Sequence, residues 1–110
     1  MSRSQAASCH SLVVRMPGPV DAGELQRRLR SGAAGAFDGA EHLRLWQERL
    51  PYAAEDPAAA ARVRREAERP LRTAGLPLRA VLLHHRGGDA DLVLVARHTL
   101  RLDPAPLACT

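Results

Sequence analysis

The feature that most constrains the fold is a pair of leucine- and valine-rich segments joined by a short polar connection. Residues 78–85 and 92–98 are rich in side chains found in buried strands, and residues 86–91 between them read RGGDAD. Two adjacent glycines followed by aspartate are typical of a tight turn, because glycine adopts positive φ without steric cost. The pattern therefore predicts two antiparallel strands that form the core of a sheet.

The chain before this hairpin begins with a predicted strand and helix. Residues 12–16 are mostly apolar and lead into a Pro-Gly-Pro sequence, which cannot continue a sheet ladder, so we expect the first strand to end there. Asp21, followed three residues later by Glu24, forms a capping-box pattern that opens a helix. Gly32 and Gly35 are expected to end this helix.

A second strand and a second helix are predicted between the first helix and the hairpin. Residues 41–47 alternate polar and apolar side chains, which is typical of a half-exposed strand. Asp56 as the N-cap and Pro57 at the first helical position predict a helix over residues 58–69. The order strand, helix, strand, helix, strand, strand indicates an α+β fold in which helices pack on a mixed sheet.

The chain is basic, but its charge does not by itself indicate nucleic-acid binding. The 110 residues carry a net charge of +4, and all 16 basic residues are arginine. Phe37, Trp46 and Tyr52 are the only aromatic residues, so no basic strand face carries the stacking aromatics that bind single strands. We therefore predict a solvated basic surface and no nucleic-acid partner.

Cysteine spacing and hydropathy point away from metal, disulfide and membrane chemistry. Cys9 and Cys109 lie near opposite ends of the chain without the spacing of metal ligands, so we expect no metal site and no disulfide framework. The apolar run at residues 92–96 is far shorter than the roughly 20 residues of a spanning helix. We predict a cytoplasmic protein with no membrane partner.

Two blocks of sequence carry a resemblance to a known family. Residues 11–21 read SLVVRMPGPVD; residues 67–71 read AERPL, and residues 75–83 and 91–98 read GLPLRAVLL and DLVLVARH. In this order they resemble the N-terminal half of a nonribosomal peptide synthetase condensation domain. The resemblance implies half of a chloramphenicol acetyltransferase-like two-lobed fold, over residues 11–103.

The same resemblance implies a function for the chain in nonribosomal peptide or other secondary-metabolite biosynthesis. Condensation domains join acyl groups to amines while both are tethered to carrier proteins, in a tunnel between two lobes. A carrier protein, or a second condensation half, is therefore the expected partner. We expect no directly bound cofactor, and phosphopantetheine is implied only as the arm on the partner carrier proteins.

The catalytic motif of that family, HHxxxDG, is altered at the aligned place, where residues 97–103 read RHTLRLD. The resemblance assigns catalysis to the second histidine, which is His98. Its structural aspartate corresponds to Asp103, displaced by one residue, and the arginine that pairs with this aspartate corresponds to Arg44. An imidazole titrates near neutral pH and can take a proton from an amine nucleophile, so His98 is the leading catalytic candidate.

A second match to the motif lies inside the predicted hairpin. Residues 84–89 read HHRGGD, which spells HHxxxD, although Ala90 stands where the motif has glycine. His85 and Asp89 are therefore an alternative site. His84 and His85 are neighbours on a predicted strand, so they should point to opposite faces of the sheet and not bind one metal ion.

Three classes of function stay open at this point. The leading hypothesis is a condensation-domain-like fragment, degenerate or dependent on a partner, whose isolated chain is inactive as an enzyme. The alternative is a noncatalytic interaction module that binds a carrier protein, a synthetase or itself as a homo-oligomer. Nucleic-acid binding is the third class. We predict a flexible N-terminus over residues 1–10 and a tail over residues 104–110.

Overall fold

The computed structural model describes residues 9–72 and 74–97, which form one mixed sheet with two helices. A turn of 3₁₀-helix at Ala40–His42 connects the first helix to the second strand. In chain order the elements are β1 (Cys9–Met16), α1 (Ala22–Ala33), β2 (Leu45–Ala53), α2 (Pro57–Glu68), β3 (Leu78–Arg86) and β4 (Ala90–Arg97).

The predicted hairpin is confirmed and forms the centre of the sheet. The strand order is β1-β4-β3-β2, with β4 antiparallel to both neighbours and β2 parallel to β3. Gly87 and Gly88 connect β3 to β4 at φ angles of 107° and 109°. Residues with a Cβ rarely adopt this backbone conformation. The α+β fold with a mixed sheet and packed helices is thus the observed architecture.

The two faces of the sheet are covered by different helices. Side chains alternate between faces along a strand, so each central strand contributes to two apolar clusters. The cluster under α1 includes Leu25, Leu29, Leu43, Leu45, Leu78, Leu82, Leu92 and Leu94. The cluster under α2 is smaller and contains Leu50, Ala59, Val81, Leu83, Val93 and Val95.

Both predicted helix starts are correct. Asp21 Oδ1 accepts a hydrogen bond from the Glu24 backbone N–H at 3.0 Å, and Asp56 Oδ1 accepts one from Ala58 N–H at 2.8 Å. Each cap satisfies an N–H that has no partner inside its helix. The first helix, however, runs through Gly32 and ends at Ala33.

The second strand begins later than the sequence predicts. Gly39 adopts a left-handed conformation with φ of 89°, and the backbone then closes a 3₁₀ turn through His42 N–H to the Gly39 carbonyl at 2.8 Å. Residues 40–42 therefore turn, and the strand starts at Leu45 and continues through Pro51 to Ala53. Proline is tolerated because β2 is an edge strand, and the parallel register shifts between Arg49 and Ala53.

Candidate functional site

Arg97, which precedes the candidate His98 in the sequence, and the alternative site at His85 lie at opposite ends of the sheet. At one end, which we call the motif end, β4 finishes at Arg97 opposite Cys9, and β2 begins at Leu45 beside Ala80. At the other end, which we call the hairpin end, Met16 pairs with Ala90. His98 follows Arg97 directly, whereas His85 belongs to the hairpin end.

Arg44 precedes β2 at the motif end. Strands are spaced about 4.8 Å apart, so β2 and β4, which flank β3, are separated by about 10 Å, a distance that two long side chains can bridge. The guanidinium of Arg44 lies over the indole of Trp46, 5.1 Å from the ring centroid. His98 and Asp103 lie outside the described residues, so their predicted roles and the pairing of Arg44 with Asp103 stay predictions.

The hairpin end holds a chain of three ionisable side chains on the α2 face, of which two are buried. His85 Nε2 lies 2.8 Å from Oδ2 of Asp91, and both residues are almost fully buried. Asp91 also accepts two hydrogen bonds from Arg15 on β1, one from Nε and one from Nη2 at 3.1 Å. Because an ionised carboxylate only accepts, His85 donates from Nε2.

The motif match at His85 therefore forms a different pair from the one its letters suggest. The side chain of Asp89 accepts a hydrogen bond from the Gly18 backbone N–H at 3.0 Å, and His85 contacts Asp89 only through the backbone. Asp91, on the same face of the hairpin as His85, is the partner. Among the described residues, no hydrogen bond joins the side chains of His85 and Asp89, the two residues of the alternative site.

His84 and His85 point to opposite faces, as predicted. His84 Nε2 lies 2.9 Å from Oε1 of Gln47, on the face opposite Asp91. Burial, followed by the nearby charge of Arg49, lowers the pKa of His84 below its usual value. Within residues 9–72 and 74–97, no group of three histidine, cysteine or acidic side chains is placed to hold a metal ion.

The charge on Asp91 is maintained by its two neighbours. Burial is the largest influence on the carboxyl group and opposes ionisation, but hydrogen bonds from Arg15 and His85 outweigh it and hold the pKa of Asp91 below its usual range. The side chain of His85 is fully inaccessible to solvent. A base in this position cannot reach a substrate in the observed conformation, so the chain Arg15–Asp91–His85 ties three strands together.

A second buried carboxylate belongs to Glu66 on α2. Its side chain is 2% exposed and lies among three arginines. Oxygens of Glu66 are 3.1 Å from Arg62 Nη2 and 2.7 Å from Arg69 Nη2. Nε of Arg79 lies 2.9 Å from Oε2, with its N–H not aimed at that oxygen, so this contact is an ion pair and not a hydrogen bond.

The sequence did not lead us to predict this buried cluster, because alternating arginine and glutamate on a helix usually indicates a solvated face. A signal was nevertheless present. Ala59, Val63 and Glu66 share one helical face at spacings of four and three, so Glu66 continues the apolar stripe that packs on the sheet. Burial is the largest influence on Glu66 and opposes ionisation, but the arginines hold its pKa below the usual value.

Comparison with known proteins gives a fold but no family membership. No protein-family model matches the sequence, and no curated protein is significantly similar to it. A solved structure on condensation domain-mediated chain release from the enacyloxin polyketide synthase is similar, with a TM-score of 0.65 and 22% identity over 91% of this chain. The chain has a condensation-domain-like fold. It spans about a quarter of that neighbour, 24% of its length.

The described part of β4 ends at Arg97, one residue before His98 in the sequence. None of the described helices is long and apolar enough to cross a membrane.

Proposed function

We propose that residues 11–103 are the N-terminal lobe of a chloramphenicol acetyltransferase-like condensation unit and form one wall of an acyl-transfer site. The proposal rests on one observation: Arg44 and the end of β4 lie at the same end of the sheet. The resemblance places the motif arginine and the motif histidine there. The likeness to a condensation domain over 91% of the chain supports the same assignment.

In this proposal His98 receives the proton of an amine as the amine attacks a carrier-bound acyl thioester. The C–N bond forms as the C–S bond breaks, and the thiol of the phosphopantetheine arm leaves with a proton. Asp103 and Arg44 are positioning residues that would hold the loop after β4. The donor and acceptor are carrier-bound, and the opposite wall comes from a second condensation lobe.

The chain by itself is expected to be inactive in amide formation. Holding two reactants in attack geometry supplies about 7–11 kcal/mol in favourable cases, and it requires walls on both sides. A well-placed base contributes about 10²–10⁴-fold, but Arg97 and Leu102 replace motif residues here. The base therefore depends on a partner lobe for its position.

The test mixes the chain with loaded donor and acceptor carrier proteins, with and without a separately produced second condensation lobe. We expect amide product by mass spectrometry only when the second lobe is present, and loss of product in His98→Ala. His85→Ala is the matched control, and because His85 is buried in the hairpin end we expect product to persist while the variant stays folded. Product lost in folded His85→Ala but not in His98→Ala would overturn the assignment.

A second candidate function, the noncatalytic interaction module, is favoured by apolar side chains left on the surface. Val13 is 42% exposed, Trp46 56% and Tyr52 37%. Val13 lies on β1 and Tyr52 on β2, the two edge strands of the sheet. Edge strands present backbone groups that can pair with another chain.

If these edges associate, the purified chain forms dimers or larger species that light scattering detects as concentration rises. Val13→Lys places a charge on the β1 edge and should shift the protein toward monomer. Arg64→Glu, an exposed change on α2 and not on an edge strand, is the control and should leave the mass unchanged. A strictly monomeric chain at all concentrations contradicts this candidate.

A further inference from the structure

A basic groove at the motif end shares only Arg44 with the residues named in the proposed chemistry. It has a volume of about 570 Å³ and lies between the start of β2 and the loop after α2. Its floor is apolar, and its rim carries arginines together with the exposed indole of Trp46. The lining includes Leu43, Arg44, Trp46, Arg69, Leu71, Arg72, Leu76, Leu78 and Arg79.

Positive charge in this groove exceeds the negative charge near it. Among residues 9–72 and 74–97, no aspartate or glutamate lines the groove, and the carboxylate in contact with its arginines is the buried Glu66, which pairs with Arg69 and Arg79. The side chain of Arg72 makes no hydrogen bond or ion pair with another described residue, and the side chain of Arg69 is 58% exposed. Charged groups on the rim are therefore available to an incoming anion.

The backbone around the groove argues against a compact phosphate as its ligand. Phosphates bind best at helix N-termini, where N–H groups converge. Here α2 presents its C-terminal end, and the carbonyls of Glu66, Arg69 and Pro70 already accept hydrogen bonds from Arg79. The partial negative charge of a helix C-terminus disfavours a dianion close by. Carboxylates of a ligand that are spaced apart along the rim carry one charge each and lie farther from the helix C-terminus, so they avoid this repulsion.

We propose that this groove binds an acidic segment of a partner protein in which leucine or another apolar side chain alternates with aspartate or glutamate. The carboxylates pair with Arg44 and Arg72 at the rim, and the apolar side chains pack on the floor beside Trp46. Arginine on the indole face, as Arg44 stands here, holds the ring in place. This surface shares Arg44 with the proposed acyl-transfer site, but binding of the acidic segment needs no histidine.

Trp46 is the only tryptophan in the chain, so its fluorescence reports on the groove directly. The probe is a short labelled peptide of alternating glutamate and leucine without aromatic residues. We expect it to bind by fluorescence anisotropy, to shift the emission of Trp46 and to protect the indole from acrylamide quenching. Control peptides with lysine in place of glutamate, or serine in place of leucine, should not bind and should not change the fluorescence of Trp46. Inorganic phosphate and duplex DNA should not displace the probe.

Charge-reversal variants distinguish binding in this groove from nonspecific attraction to the net positive charge of the protein. The double variant Arg44→Glu/Arg72→Glu should bind the probe about tenfold more weakly, equal to about 1.4 kcal/mol. The matched double variant Arg64→Glu/Arg86→Glu reverses two exposed arginines outside the groove and should stay within about threefold. Equal losses in the two variants, displacement by phosphate or DNA, or binding of the lysine peptide would each overturn the proposal.

Discussion

Replacing Asp91 by alanine lowers the free energy of unfolding by about 3 kcal/mol, the lower end of the cost of breaking a buried ion pair. The lower end applies because the side chain of Arg15 is 51% exposed, so water replaces part of the interaction that Arg15 loses with the Asp91 carboxylate. The buried ring of His85 loses its hydrogen-bond acceptor entirely. Urea unfolding followed by circular dichroism measures the effect.

Asp89→Ala is the matched control, two residues away in the same hairpin. It removes one hydrogen bond, from the Gly18 N–H, and should cost about 1 kcal/mol. If Asp91→Ala costs no more than Asp89→Ala, the chain Arg15–Asp91–His85 does not hold the strands together as described.

The contribution of Asp91 should also fade in acid. Its folded pKa is depressed, so its stabilisation is fully present above the ordinary aspartate pKa of about 3.9 and is lost as pH falls through the lower folded value. The difference in unfolding free energy between the unaltered chain and Asp91→Asn should therefore shrink below about pH 4. A difference that stays constant from neutral pH through this range contradicts the assignment of an ionised Asp91.

Replacing Glu66 by alanine has the other large effect, a loss of about 3–5 kcal/mol in the free energy of unfolding. The substitution removes the carboxylate that faces Arg62, Arg69 and Arg79, and leaves Arg79, whose side chain is 12% exposed, without a counter-charge. Thermal and urea unfolding both report this loss, and no single exposed ion pair reaches this size.

Glu68→Ala is the control for Glu66, because it lies on the same helix and is exposed. It should change stability by at most about 0.5 kcal/mol. Glu66→Gln keeps the shape of the side chain and removes the charge, so its loss in unfolding free energy should lie between those of Glu66→Ala and Glu68→Ala. Similar stabilities for Glu66→Ala and Glu68→Ala would mean that the arginines find other partners and that the cluster is not what anchors α2.

Elements with strong local signals could be predicted from the sequence. The hairpin follows from its glycine pair and its leucine-rich strands, and both helix starts follow from Asp21 and Asp56. The start of β2 could not be predicted, because alternation over residues 41–47 continues through a 3₁₀ turn. Only the left-handed backbone at Gly39 shows that the chain turns there.

The contacts of the ionisable groups were harder to predict, because they depend on tertiary packing. The HHxxxD letters made His85 and Asp89 the alternative site. In the structure the partner of His85 is Asp91 on β4, whereas Asp89 precedes that strand and accepts a hydrogen bond from Gly18. The burial of Glu66 was not predicted, because the arginines around it in the sequence suggest an exposed helix face although Glu66 continues an apolar stripe. Arg44 was identified from the resemblance alone, and it precedes β2 at the motif end, with β3 between β2 and β4.

The central claim is that substrate-bearing arms of carrier proteins approach the motif end of the sheet. A carrier protein carrying a photoreactive acyl group on its phosphopantetheine arm tests this directly, with cross-linked peptides identified by mass spectrometry. The account predicts cross-links to residues 43–46 and 76–80, reduced by excess unlabelled loaded carrier. Competed cross-links that instead map to residues 15–18 and 84–91 would contradict it and move the site to the hairpin end.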